Sequence, residues 1–136
     1  MQVNPYLAFD GTCAQAFSFY ETAIGGTILM MMTIGESPMA AQATPETKDR
    51  IMHASMQIGN TTIMGGDAPT GMFSAPQGFS VNLGIDDEAD AERVFANLSE
   101  GATIKMPLQE TFWAKKFGML VDRFGIPWMI NCTKPM

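Results

Sequence analysis

The chain has 136 residues, 46% of them hydrophobic and 16% charged, which is one domain's worth of compact sequence rather than a disordered composition. A formal net charge of −6, with Lys115-Lys116 the one side-by-side pair of lysines, excludes the clustered basic surface that nucleic acid requires. The apolar run 27–34 is far too short to span a bilayer, and no basic segment followed by an apolar core opens the chain, so no membrane contact and a cytoplasmic location are expected.

In chain order, "VNPYLAFDG" (3–11) alternates and ends in a turn, the pattern of a strand. Cys13, Ala16, Phe17, Tyr20 and Ile24 then share one face at helical spacing. They predict a helix over 12–24, opened by a Thr12–Gln15 capping box and stopped by Gly25-Gly26. A β-rich run covers 27–34. The Pro-, Ala- and Thr-rich stretch 35–49 predicts a long loop with two open readings, a lid or a mobile surface excursion. "IMHASMQI" (51–58) and "TTIMGG" (61–66) flank Gly59-Asn60, a two-residue hairpin turn that sets residue 58 opposite 61 and 55 opposite 64.

The same order returns after residue 78. "FSVNLGI" (79–85) alternates, Asp86-Asp87 supply a cap, and Ala91, Val94, Phe95 and Leu98 share a helical face before Gly101. A strand over 102–109, a short link (110–116) and a hairpin with its turn at Phe124-Gly125 complete the second half. Asp10 and Asp86, Phe19 and Phe95, and Gly25 and Gly101 are all 76 residues apart, which indicates a repeated β-α-β-β-β unit. The predicted organisation is one domain of two modules, about 1–68 and 78–136, joined by 69–77. Cys13 and Cys132 have no CxxC spacing and are expected buried and reduced, and most of the thirteen methionines are expected to fill core.

Three stretches carry a family resemblance: "PYLAFDGTCAQAFSFYETAIGG" (5–26), "HASMQIGNTTIMGGD" (53–67) and above all "QETFWAKKFGMLVDRFGIPWMIN" (109–131). Through them the chain resembles the vicinal oxygen chelate superfamily of glyoxalases, bleomycin-resistance proteins and dioxygenases, in its PhnB-like, 3-demethylubiquinone methyltransferase-like branch. The resemblance implies an α+β fold in which two tandem βαβββ modules form curved mixed sheets around a concave cup, the glyoxalase/bleomycin-resistance fold. It also implies a homodimer. In the metal-using relatives His and Glu side chains hold one divalent ion, and those places fall here near Pro5, Met64, Ser80 and Met129, none of which is a His or a carboxylate. No Gly-rich loop follows the first strand, so no site for S-adenosylmethionine is visible. The expectation is therefore no metal and no cofactor.

Strand alternation then selects the residues facing the cup. The first half offers Pro5, Leu7 and Phe9 from its first strand, and His53, Ser55, Gln57, Thr62 and Met64 from its hairpin. The second half offers Ser80 and Asn82. A hairpin register pairing 121 with 128 adds Leu120, Asp122, Met129 and Asn131, with Met119, Val121, Trp128 and Ile130 turned to the helix. Phe112 and Trp113 stand as a rim. The expected ligand contacts are Leu7, Phe9, His53, Ser55, Met64, Ser80, Asn82, Trp113, Met129 and Asn131, apolar walls with sparse polar groups suited to a small organic molecule. His53 is the one candidate general base, set against the reading that it is a hydrogen-bonded structural histidine, and Asp67 is the nearest carboxylate. The favoured function is binding of a small organic ligand in a metal-free cup. The alternatives are a metal-dependent lyase, isomerase or dioxygenase of the glyoxalase type, and a ligand-free structural dimer.

Overall fold

The computed structural model describes residues 1–135. Its first half runs β1 (Tyr6–Phe9), α1 (Cys13–Ala23), β2 (Thr27–Thr33), β3 (Ile51–Ile58) and β4 (Thr61–Asp67). The second runs β5 (Val81–Gly84), α2 (Glu88–Leu98), β6 (Thr103–Gln109), β7 (Ala114–Val121) and β8 (Pro127–Thr133). The fold is α+β, with two four-stranded mixed sheets ordered β1-β4-β3-β2 and β5-β8-β7-β6. In each sheet the first strand runs parallel to the last and the remaining pairs are antiparallel. The chain divides into two compact units between Ser74 and Ala75.

In the first unit, α1 lies on one face of its sheet and buries Cys13, Ala16, Phe17, Tyr20 and Ala23. Phe17 meets Phe9 edge-on, with centroids 6.2 Å apart. The approach requires a glycine: a Cβ at Gly65 would stand 2.8 Å from the Leu7 carbonyl and 2.9 Å from the Phe17 ring. Leu7 pairs with Gly65, and Leu7 and Phe9 are 1% and 0% exposed. Both therefore belong to the helix-side core, and the expectation that they face a cup is corrected. Alternation in β1 turns Tyr6 and Ala8 to the far face instead. The first hairpin has the predicted register, Ile58 opposite Thr61 and Ser55 opposite Met64.

The start of α1 departs from the predicted capping box, because Thr12 makes no side-chain cap. Asp67, at the end of β4, takes over: its Oδ1 accepts the backbone N–H of Gly11 (2.9 Å) and Cys13 (3.1 Å), and its Oδ2 accepts that of Ile51 (2.7 Å). One carboxylate thereby ties the helix start and the head of β3 to β4. It satisfies amides that a helix terminus otherwise leaves without partners.

The second unit repeats the plan with its own details. Asp87 caps α2 locally, accepting the Asp90 N–H at 3.0 Å. Phe95 needs Gly118 beneath it, where a Cβ would stand 2.6 Å from the ring. The closing hairpin differs from the predicted register by one residue: Leu120 pairs with Trp128, Met119 with Met129, and Val121 with Pro127. A one-residue slip exchanges the faces of a strand. Leu120, 1% exposed, is therefore core, and Met119 and Val121 lie with Met129 on the face away from α2.

The slip originates in the connection 122–126. Asp122 is buried, and its Oδ1 accepts the N–H of Phe124 (2.8 Å) and Ile126 (3.0 Å) while its Oδ2 accepts the Trp128 indole N–H (2.8 Å). A side chain closes this turn from inside, an Asx-type arrangement that lengthens the loop. Asp122 is consequently a turn residue rather than a cup residue.

Candidate ligand cavity

The loop 34–50 is laced to the sheet rather than free of it. Ile34 N donates to Arg50 O and Gly35 N to Lys48 O, both at 2.9 Å, which prolongs the β2–β3 ladder into the loop. Ser37, buried although polar, donates its hydroxyl to Ile34 O (2.7 Å) and accepts the Met39 N–H (3.0 Å). A 3-10 turn at Ala40–Gln42 follows. Between this loop and the sheet lies a cavity of about 440 Å³ in the first unit. The sheet supplies Tyr6, Met52 and Asp67, and the loop supplies Ile34, Met39, Gln42, Thr47 and Arg50, with Pro69 and Thr70 completing the wall. The volume falls within the range of small-ligand sites, and an apolar lining with a few polar groups is the usual composition of one.

Arg50 is the one cation in that wall, with 17% of its side chain exposed. Its Nη2 donates to the Ala68 carbonyl (2.6 Å) and to Asp10 Oδ1 (3.2 Å), which holds the guanidinium in place. Tyr6 leans over Gly66, where a Cβ would stand 2.6 Å from the phenol oxygen. Burial first, then the neighbouring Cys13 and Asp67, raise the Tyr6 pKa above that of an ordinary phenol. Burial and the Asp67 charge likewise push the Cys13 thiol up to about 12. Cys13 is therefore a packed thiol and no nucleophile at physiological pH.

The predicted ligand contacts fall into separate groups. His53, Ser55 and Met64 lie half-buried on the far face of the first sheet; Ser55 pairs with Met64, and the His53 ring stands 6.1 Å from that of Tyr6. In the second unit Asn82 pairs with Met129 and Gly84 with Asn131, and Ser80 directly precedes β5. Asn131 Oδ1 is buried without a hydrogen-bond partner, and nothing lies within 4 Å of a Cβ built on its neighbour Gly84. Trp113, 41% exposed, packs edge-on against Phe112 (4.8 Å) and Phe117 (5.2 Å).

None of the ten predicted contacts lines the cavity. Sequence reasoning missed Tyr6 because the first strand was read in the wrong phase, and Met52 because alternation assigned it to the helix side. The signal for Arg50 was available: a lone arginine where the inserted loop re-enters an apolar strand. Asp67 was noticed, but its carboxylate is committed to three backbone N–H groups and is no partner for His53.

The donor set does not suit the divalent ion of the metal-using relatives. Pro5, Met64, Ser80 and Met129 offer no strong ligand, and among the described residues no three His, Cys, Asp or Glu side chains come together. A phosphate-cradling loop is equally foreign to the β1–α1 turn, whose Gly11 and Cys13 amides are held by Asp67. Among the described residues no helix is long and apolar enough to cross a membrane.

Comparison with known proteins agrees with this architecture. Residues 1–131 match the model of a family described as 3-demethylubiquinone-9 3-methyltransferase. The chain is similar to Protein YjdN of Escherichia coli K12, 36% identical over 98% of this chain and 97% of the relative. It is similar to the crystal structure of protein PA1353 from Pseudomonas aeruginosa, with TM-score 0.90, 42% identity and 99% of both chains covered. A structure of a putative 3-demethylubiquinone-9 3-methyltransferase, PhnB protein, from Bacillus cereus shares the fold at TM-score 0.82 and 23% identity, over 98% of this chain and all (100%) of that one.

Proposed function

The chain belongs to the family described as 3-demethylubiquinone-9 3-methyltransferase and shares its fold with a PhnB protein and with a glyoxalase/bleomycin resistance protein/dioxygenase family enzyme, and on that premise we propose that it binds a small organic molecule without a metal or cofactor. The observation that carries the proposal is the cavity of about 440 Å³ beneath the loop 34–50, walled by Ile34, Met39 and Met52 and by the polar groups of Tyr6, Gln42 and Arg50. Apolar walls supply affinity through removal of surface from water, and a few fixed polar groups orient the occupant. No side chain in that wall is paired with a general base or poised as a nucleophile, which favours binding over turnover.

The far-face groups His53, Ser55 and Met64, and in the second unit Ser80, Asn82, Met129, Asn131 and Trp113, remain proposed contacts outside the cavity. The unmatched Asn131 Oδ1 supports a role in accepting a hydrogen bond from a bound molecule, since a buried acceptor without a partner costs about 1–3 kcal/mol. Pairing of two copies belongs to the same proposal, and light scattering tests it.

The main test is a thermal-shift screen of a broad metabolite library on the wild-type protein and on Thr47→Trp, which fills the cavity from the loop. Compounds that raise the melting temperature of the wild type and not of the variant support the reading. A library with no stabilising compound, or hits that ignore the substitution, would overturn it. Elemental analysis of the purified protein addresses the metal: a stoichiometric transition metal would restore the lyase, isomerase or dioxygenase reading.

A further inference from the structure

The polar groups of the cavity wall are unequal in kind, and the inequality bears on what the cavity holds. This inference rests on the binding reading above and goes further, to the chemical class of the occupant. A guanidinium has five N–H donors, and Arg50 spends those of Nη2 on Asp10 and Ala68. Its Nε and Nη1 donors meet no protein acceptor among the described residues, although the side chain is only 17% exposed. The Tyr6 hydroxyl and the Gln42 side-chain amide, both on exposed residues, bond no other protein group among the described residues.

The one carboxylate in the wall, Asp67, is on the other side of the ledger. Its two oxygens are taken by the N–H groups of Gly11, Cys13 and Ile51, which leaves little capacity to receive a ligand's donor. Thr47 Oγ1 is likewise engaged, accepting the Thr44 N–H at 2.9 Å. Arg50 is thus the one group of the wall that can only donate, and the Tyr6 hydroxyl and the Gln42 side-chain amide have donors to add to it. The same wall contains the apolar Ile34, Met39, Met52 and Pro69.

The geometry points to a small carboxylic acid as the ligand of this cavity, its carboxylate received by Arg50, Tyr6 and Gln42 and its hydrocarbon body against Ile34, Met39 and Met52. A carboxylate is an acceptor-only group with room for several donors, and charge-assisted hydrogen bonds to a guanidinium are stronger than neutral ones. Tyr6 is a donor at neutral pH as any phenol is, a phenol's ordinary pKa being about 10. Asp10 does not cancel the site, since its side chain is 60% exposed and its pairing with Arg50 is screened by water.

The test is calorimetric titration of the wild-type protein with hexanoate and phenylacetate, against hexanamide, phenylacetamide and hexanol as neutral isosteres. The acids are expected to bind at least about ten-fold more tightly than their amides, the step that one charge-assisted hydrogen bond supplies. Tyr6→Phe should weaken acid binding about three- to ten-fold and leave amide binding almost unchanged. Arg50→Gln should abolish the preference and Arg50→Lys restore part of it. Because Arg50 also ties Asp10 to Ala68, Arg50→Gln is read only if its circular dichroism is native; otherwise Tyr6→Phe and the matched acid and amide series decide.

Equal affinity for acids and amides, or library hits that are neutral or cationic yet blocked by Thr47→Trp, would overturn the class assignment and leave the binding proposal standing. Failure of every probe together with an empty library screen would remove both.

Discussion

The Asp67 carboxylate at the end of β4 holds the backbone N–H of Cys13 at 3.1 Å, across 54 residues of chain. With the Gly11 and Ile51 bonds, this one side chain fastens α1 and the head of β3 to the last strand of the sheet. Asp67→Ala leaves three backbone donors without their acceptor and should cost about 2–4 kcal/mol. Urea unfolding with an unchanged m value measures it; a loss below about 0.5 kcal/mol would show that the cap is dispensable.

The second unit has its own internal carboxylate in Asp122, and its bond to the Trp128 indole is buried. Asp122→Ala and Trp128→Phe should each destabilise by about 2–4 kcal/mol. Because the two side chains meet directly, the double variant should fall short of the sum by about 1–2 kcal/mol. Strict additivity in a double-mutant cycle would mean that the hydrogen bond contributes nothing.

Gly65 and Gly118 stand under the rings of Phe17 and Phe95. Alanine at either position forces an overpacked contact and should cost about 1–3 kcal/mol. Gly84 is the control, because nothing lies within 4 Å of a Cβ built there. Gly84→Ala should be neutral or stabilising by up to about 1 kcal/mol. Melting temperatures of the three variants, ranked the other way, would contradict the packing described.

Cys13 gives a pH dependence with a definite sign. Burial and the Asp67 charge raise its folded pKa from 9.0 to about 12, so the folded protein keeps this proton longer than the unfolded chain does. Its contribution is therefore fully present below about pH 9, the ordinary thiol value, and declines as pH rises from there toward 12. Cys13→Ala should flatten the decline of stability across that window. In the native protein at pH 8, iodoacetamide should leave Cys13 unmodified by peptide mass spectrometry until the protein is unfolded.

Much of the fold was legible because its signals are local. The recurrence of strand, cap, helix face and glycine at a spacing of 76 residues indicated two βαβββ units, and Gly59-Asn60 determined the first hairpin's register. The second hairpin escaped because Asp122 folds its side chain into the turn, a contact that spacing does not display. Thr12 has the composition of a cap, yet the cap comes from β4, a relation that depends on the sheet already being assembled. β1 was read out of phase because Tyr6, amphipathic, and Leu7, apolar, are both acceptable on a buried face; only the close passage of Phe17 over Gly65 decides which residue is covered.

The cavity was less legible still. Its wall is built from the loop 34–50, whose Pro-, Ala- and Thr-rich sequence has no period to follow. The hydrogen bonds of Ser37 and the Ile34–Arg50 ladder turn that stretch into a wall, and they appear only in three dimensions.

The two helices differ in when they can be anchored. Asp87 lies beside α2 in the chain and caps it at once, so that helix can nucleate before any sheet exists. The corresponding cap position before α1 is held by Thr12, whose side chain makes no cap bond, and the fastening waits for β4 to arrive from far along the chain. The two halves, alike in topology, should therefore assemble in opposite orders, helix first in one and strands first in the other.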